Sequence, residues 1–240
     1  MSHPERIDPV ATEPGILALH LKRYDFALPY CGNATVLDVA CGLGYGTAHL
    51  ARVAAYVRGI DVSPEAIAVA AERYRRPNIE FQLGDAQALR EQDRSYDVVC
   101  SFETIEHVAD PEMMLREVVR VLRDGGTFLV STPKADESTH APSNPFHRSE
   151  WSAADFEALL SRFFVGVELF GQRRIQTTAH RLAQRLDVLG LRKRLSFLRS
   201  VARILGTTPT AELGLDDIVI ERGVDGPATE VVAVCTRPRR

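Results

Sequence analysis

Residues 36–47 constrain this chain more than any other stretch. An apolar run, 36–40, gives way to glycines at 42, 44 and 46, and a helix-compatible segment, 47–55, follows. That order is strand, tight turn, helix, the first unit of an open parallel α/β sheet. Gly42 and Gly44 lack a Cβ, so the backbone can turn sharply and a ligand can lie directly against it. Asp38, near the carboxyl end of the strand, puts a carboxylate where a ligand amine would sit. The stretch reads as a small-molecule site, with the ligand left open.

The rest of the chain repeats the unit. Strands are predicted over 54–61, 78–83, 95–102 and 126–132, with helices between them. Ser63 and Pro64 mark one helix start, and Gly125 and Gly126 follow another helix's end. The alternation predicts a doubly wound parallel sheet with right-handed crossovers. Ahead of it, apolar residues at helical spacing predict a helix over 13–28, with His20 and Tyr24 on one face, either covering the sheet edge or closing over a ligand. A loop over 134–149 leads to a helix over 152–163, and two further strands are predicted over 165–170 and 230–236.

Length allows one large α/β domain with an inserted or appended element. We divide it into an N-terminal helical cover, 1–34, a core, 35–172 with 214–240, and a basic helical insert or lid, 173–213. Within the insert, residues 173–205 hold nine Arg or Lys against one acid, Asp187, so the segment carries +8 in a chain of net charge −3. Its leucines imply helices that pack on something, as a lid or a homodimer surface, with arginines able to hold phosphate, carboxylate or glycan. Nucleic-acid binding is weakly supported, since few aromatics are interleaved and the remainder is acidic. No apolar run approaches the roughly 20 residues of a spanning helix, so no membrane partner is expected. The four cysteines form no CxxC pair and read as buried thiols in a reducing cytoplasm.

A glycine turn after the first strand serves both nicotinamide dinucleotides and S-adenosylmethionine. The dinucleotide fingerprint needs G-x-G-x-x-G, whereas the spacing here is Gly42-x-Gly44-x-Gly46. Asp38, Asp61 and Asp85 then close three successive strands at the edge where such sheets bind ligands. Asp61 is placed to accept from ribose hydroxyls and Asp85 from an adenine amino group. With Gly59-Ile-Asp61, Gly84-Asp85-Ala86, Tyr96-Asp-Val-Val99, Ile105-Glu-His-Val108 and Leu122-Arg-Asp-Gly-Gly126, the stretch 35–133 closely resembles the class I S-adenosylmethionine-dependent methyltransferases. The resemblance implies a Rossmann-like α/β fold, a doubly wound seven-stranded sheet with six parallel strands and the last antiparallel, here with a helical insert between the last two strands. It assigns Asp38, Gly42 and Gly44 to the methionine moiety, with Ala40 where the family often has glycine. It assigns Asp61, flanked by Val62, to ribose, and Gly84, Asp85 and Ala86 to adenine. Ser101 and Phe102 would lie beside the reacting methyl.

Just past the fourth strand comes Glu103-x-x-Glu106-His107. On a helix these three potential ligands would share a face. The same spacing is found in small-RNA 2′-O-methyltransferases, where a divalent ion is held together with a distant histidine, here His147 or His140. A tentative Mg²⁺ or Mn²⁺ site therefore comprises Glu103, Glu106, His107 and His147, and the ion would lower the pKa of an acceptor hydroxyl. The metal-free alternative makes His107 a general base, with Glu106 and His147 beside it, and a structural His107 is the third reading. The segment 144–147 also resembles one in methyltransferases of glycan and antibiotic biosynthesis, which favours substrate contact for His147.

The expectation is a cytoplasmic S-adenosylmethionine-dependent O-methyltransferase acting on a sugar, oligosaccharide or natural product. Rivals are an N- or C-methyltransferase, a nicotinamide-dependent oxidoreductase, and a catalytically silent cofactor- or nucleic-acid-binding protein.

Overall fold

The computed structural model describes residues 6–175, 213–224 and 226–240. Its elements are α1 (Pro14–Cys31), β1 (Thr35–Val39), α2 (Tyr45–Leu50), β2 (Tyr56–Asp61), α3 (Pro64–Arg73), β3 (Ile79–Leu83), β4 (Tyr96–Phe102), α4 (Pro111–Val121), β5 (Leu122–Ala135), β6 (Trp151–Ser152), α5 (Ala153–Ser161), β7 (Phe164–Arg174), β8 (Ile218–Arg222) and β9 (Glu230–Pro238). The strands lie in the order β3-β2-β1-β4-β5-β9-β7-β8, with the two-residue β6 beside β5. From β3 to β5 the pairs are parallel, and β9 runs antiparallel between β5 and β7. The seven-stranded sheet with one reversed strand is thus present. The additions are β6 and the antiparallel edge strand β8, on 218–222, for which no strand is predicted from sequence.

Strand alternation splits the core in two. Val36, Val57, Val98, Cys100, Leu129 and Val234 pack with Tyr24, Ala27 and Leu50 of α1 and α2. Their neighbours Leu37, Val39, Ile60, Val99, Phe128 and Val130 face the other way, onto Leu115, Val118, Phe156 and Leu160 of α4 and α5. Because both faces are covered, the strands are nearly continuous apolar runs. Local signals set the helix starts. The side chains of Ser63, Asp110 and Ser152 accept hydrogen bonds from the amides of Ala66, Met113 and Asp155, each cap worth about 1 kcal/mol. All four cysteines are buried free thiols.

One boundary differs. Arg173 and Arg174, assigned above to the basic helices, belong to β7, where they pair with Val219 and Ile218 of β8. The other arginines and the leucines of that insert, in 176–212, lie outside the described residues. Among the described residues no helix is long and apolar enough to cross a membrane.

Candidate functional site

A cavity of about 680 Å³ opens over the carboxyl ends of β1, β2 and β4, a volume suited to a drug-sized ligand. Its walls come from the turn after β1 (Ala40, Cys41, Gly42), the end of β2 (Asp61, Val62), Gly84 to Gln87 after β3, and Phe102 to Ala109 after β4. Asn144, His147 and Arg148 close the far side, and Arg6, Ile7, His20 and Tyr24 cover the near side.

The turn after β1 divides the work among its residues. Gly42 has φ +55 and open space where a Cβ would stand, so its backbone faces the cavity bare. Gly44, at φ +80, faces the protein instead: a Cβ there would lie 2.7 Å from the Phe81 ring and 2.8 Å from Ala70. The lack of a Cβ at Gly44 thus serves close packing beneath α2. Ala40 holds φ +60, a conformation that costs a residue with a Cβ roughly 1–2 kcal/mol.

Asp38 is not on the cavity wall. It is fully buried, accepting from Tyr24 Oη at 3.2 Å and from Thr47 Oγ1 at 2.6 Å. Burial pushes its carboxyl up to about 7, against the pull of the two hydroxyls. Tyr24 seals it, with its ring edge-on to Tyr45 and Phe102 at 5.7 and 5.0 Å. Ser101 is likewise buried, donating to the Val39 carbonyl, so it too is removed from the set that lines the cavity.

The acidic edge is as expected at two of three strands. Asp61 accepts from the amides of Gly42 (3.0 Å) and Ser63 (2.9 Å), and Arg6 approaches it at 3.5 Å. Asp85 is exposed, held by the Gln87 amide at 2.9 Å. Beside Asp61, Val62 is 72% exposed, an apolar face at the rim. A bare backbone turn, an anchored acid, an apolar rim and an exposed acid, in that order, fit the methionine, ribose and adenine chemistry of S-adenosylmethionine.

After β4 the chain makes a turn rather than the helix assumed above, with the His107 amide donating to the Thr104 carbonyl at 2.9 Å. Glu103 adopts φ +52, and its carboxylate goes to Ser131 Oγ at 2.7 Å and to Arg23, 3.8 Å away. It is therefore separated from the other candidate ligands. Glu106, His107 and His147 come together, with ligand atoms within 4.8 Å of one another. His140 instead bonds Ser149 Oγ at 2.9 Å, so His147 supplies the distant histidine.

Hydrogen bonding fixes the proton positions on these rings. His107 Nδ1 lies 3.0 Å from the Phe146 carbonyl. A carbonyl only accepts, so Nδ1 carries the hydrogen and Nε2 the lone pair of the neutral ring. That Nε2 is 3.9 Å from Glu106 Oε1. His147 Nδ1 donates in the same way to Glu150 Oε1 at 2.7 Å, and the two imidazoles meet edge-on at 4.9 Å. Burial, followed by repulsion from Glu103, pushes the Glu106 carboxyl well above the usual carboxylate range, and Thr132 Oγ1 donates to it at 3.1 Å. His20 shows the opposite arrangement. Arg23 Nη2 donates to its Nδ1 at 3.0 Å, so the hydrogen sits on Nε2, and burial and Arg23 hold the ring well below the ordinary imidazole pKa.

Several of these residues carry no pattern signal. Arg6, Arg23 and Arg148 matter through contacts with Asp61, Glu103 and Glu106 that are distant in the chain, and Thr47 through Asp38, nine residues away.

The profile of a protein family described as a methyltransferase domain matches residues 37–130. A Mycolicibacterium smegmatis protein named "probable S-adenosylmethionine-dependent methyltransferase" is 40% identical over 133 residues, covering 54% of this chain and 51% of that one. Methyltransferase GfsG of Streptomyces halstedii is 36% identical over 134 residues, 53% of this chain and 47% of its own. The phthiotriol/phenolphthiotriol dimycocerosates methyltransferase of Mycobacterium tuberculosis is 40% identical over 100 residues, 40% of this chain and 37% of its own. This chain thus spans about half or less of these relatives' length. Among solved structures, a SAM-dependent methyltransferase of Thermotoga maritima superposes with TM-score 0.64 at 16% identity, over 92% of both chains. The [4+2]-cyclase SpnF does so with TM-score 0.60 at 22% identity, over 92% of this chain and 82% of that one. The superpositions speak for the fold alone.

Proposed function

Since the chain carries a class I S-adenosylmethionine-dependent methyltransferase domain, we propose that it methylates a hydroxyl oxygen of a sugar, oligosaccharide or natural product, with His107 as the base. The observation that carries this reading is the His107 tautomer: Phe146 holds the hydrogen on Nδ1 and leaves the basic Nε2 in the turn beside Glu106, in the cavity that also holds Asp61 and Asp85. The relative named for phthiotriol acts, by that name, on an alcohol-bearing molecule, which supports oxygen as the acceptor atom.

Bound S-adenosylmethionine supplies an electrophilic methyl, and its transfer leaves S-adenosylhomocysteine. This chain binds through the Gly42 backbone, Asp61 and the 84–86 turn, while Val62 and Phe102 give apolar contact and Tyr24 and His20 exclude water from the near side. His107 Nε2 takes the proton released from the acceptor oxygen. The Phe146 carbonyl then faces the hydrogen on Nδ1 of the imidazolium and steadies the charge. Most of the rate would come from holding oxygen and methyl in contact and in line.

A second reading has an observation of its own. Glu106, His107 and His147 bring one carboxylate and two imidazoles within 4.8 Å, and both rings have Nδ1 engaged, the arrangement that presents Nε2 to a metal. Mg²⁺ or Mn²⁺ held there would acidify the acceptor hydroxyl. The test is His107→Ala, assayed for S-adenosylhomocysteine release and, by calorimetry, for S-adenosylhomocysteine binding. A loss of turnover of about 100-fold or more, the range of a general base, with affinity intact is expected. Lost affinity refutes the assignment. Chelation that abolishes wild-type turnover, with recovery on adding Mg²⁺ or Mn²⁺, selects the second reading.

A further inference from the structure

The far wall of the cavity carries a cation with no ion-pair partner among the described residues. Arg148 lines the cavity with His107, His147 and Asn144, its side chain is exposed, and it has no ion-pair partner among the described residues. The cavity's other lining arginine, Arg6, is paired with Asp61. Four of the carboxylates described on the elements around Arg148 are already committed, and Asp136 and Glu137, exposed on the same loop, form no ion pair with it. Glu150 holds His147 at 2.7 Å, Glu103 is bonded to Ser131, Asp155 is bonded to Ser138 and Ser152, and Glu106 is bonded to Thr132.

Its backbone is held in place as well. The Arg148 amide donates to the Glu106 carbonyl at 2.7 Å and the Ser149 amide to the same oxygen at 3.3 Å. The loop is further braced by the His147 amide on Asn144, by His140 on Ser149, and by the paired backbones of Thr139 and Glu150. The Arg148 backbone is therefore tethered to the turn that carries the base, which sets the point from which its side chain reaches the cavity.

We infer that Arg148 clamps an oxyanion on the methyl acceptor, a carboxylate or a phosphate monoester near the hydroxyl to be methylated. This rests on the methyltransferase reading above and narrows its substrate class to acidic alcohols. A guanidinium meets either oxyanion through two parallel N–H donors, which fixes orientation as well as affinity.

The test uses full-length wild type, Arg148→Gln and Arg148→Lys, each saturated with S-adenosylhomocysteine. These are titrated with glucose, glucuronate and glucose 6-phosphate, and with mandelate and mandelamide, followed by saturation-transfer NMR and calorimetry. The anionic probes should bind wild type about tenfold tighter than their neutral partners, as one charge-assisted pair implies. Glucuronate against glucose 6-phosphate separates carboxylate from phosphate. Arg148→Gln should erase the preference with S-adenosylhomocysteine affinity and melting temperature unchanged, and Arg148→Lys should keep part of it. Equal binding of acid and neutral probes, binding of none of them, or a preference that survives in Arg148→Gln overturns the inference. So does weaker S-adenosylhomocysteine binding by that variant, which would give Arg148 to the cofactor. If wild type fails to bind S-adenosylhomocysteine at all, it is the methyltransferase reading that falls, and the acid preference can still be measured on the unloaded protein.

Discussion

Asp38 offers the sharpest test of how this site is built, because its cost is calculable. It is fully buried, and its carboxyl is pushed up to about 7 from the ordinary 3.8. Between those values the folded protein keeps a proton that the unfolded chain releases. Stability from this group is thus fully present below about pH 4 and is lost as pH rises through about 7. About three pH units at 1.36 kcal/mol each give a penalty of about 4 kcal/mol at pH 8. Asp38→Asn keeps the shape and cannot ionise. Its amide offers one acceptor and one donor, and Thr47 can rotate to accept, so the two hydroxyl contacts survive at the cost of about 1 kcal/mol. The expectation is a variant more stable than wild type by only about 0.6 kcal/mol at pH 5 and by about 3 kcal/mol at pH 8. Urea unfolding of both proteins, free of cofactor, at intervals from pH 5 to pH 8 measures this. Glu106, whose carboxyl is also raised, and His20, whose imidazole is lowered, bend both curves alike and cancel in the difference. A difference that stays flat from pH 5 to pH 8 would refute the reasoning, since Asp38 would then be ionised in the folded state throughout.

Two further substitutions probe the same turn. Gly46→Ala would set a Cβ 1.9 Å from Cζ of Tyr24, forcing the ring out and breaking its bond to Asp38. A loss of about 3 kcal/mol in urea unfolding is expected, with much of it absent when Tyr24→Ala is combined with it, and additive losses would count against the contact. Ala40→Gly relieves the left-handed conformation at φ +60 and should stabilise by about 1 kcal/mol, while a destabilised variant would show that the alanine methyl earns its place by packing.

The sheet was legible because its signals are local. Apolar runs, the caps at Ser63 and Asp110 and the glycines near the ends of helices each act within a few residues, and the order of strands from β3 to β5 follows from right-handed crossovers. What escaped was short or two-sided. β6 has only two residues, and β8 is an edge strand whose pairing with Arg173 and Arg174 overrode the helical look of a basic run.

Within the site the sequence named Gly42, Asp61, Asp85, Glu106, His107 and His147, because the types and their spacing along the strand ends carry the chemistry. It could not tell which side of the backbone each residue would serve. Gly44 turned toward Phe81, Asp38 toward Tyr24 and Thr47, and Glu103 toward Ser131 and Arg23. Those choices depend on partners up to 80 residues distant in the chain, which periodicity does not encode. The sequence by itself determined a Rossmann-like doubly wound sheet and the acids along its carboxyl edge. The tertiary structure alone decided which acid is sealed, which histidine nitrogen keeps its lone pair and which cavity arginine has no ion-pair partner among the described residues. Burial and proton position are properties of the assembled neighbourhood and not of the residue.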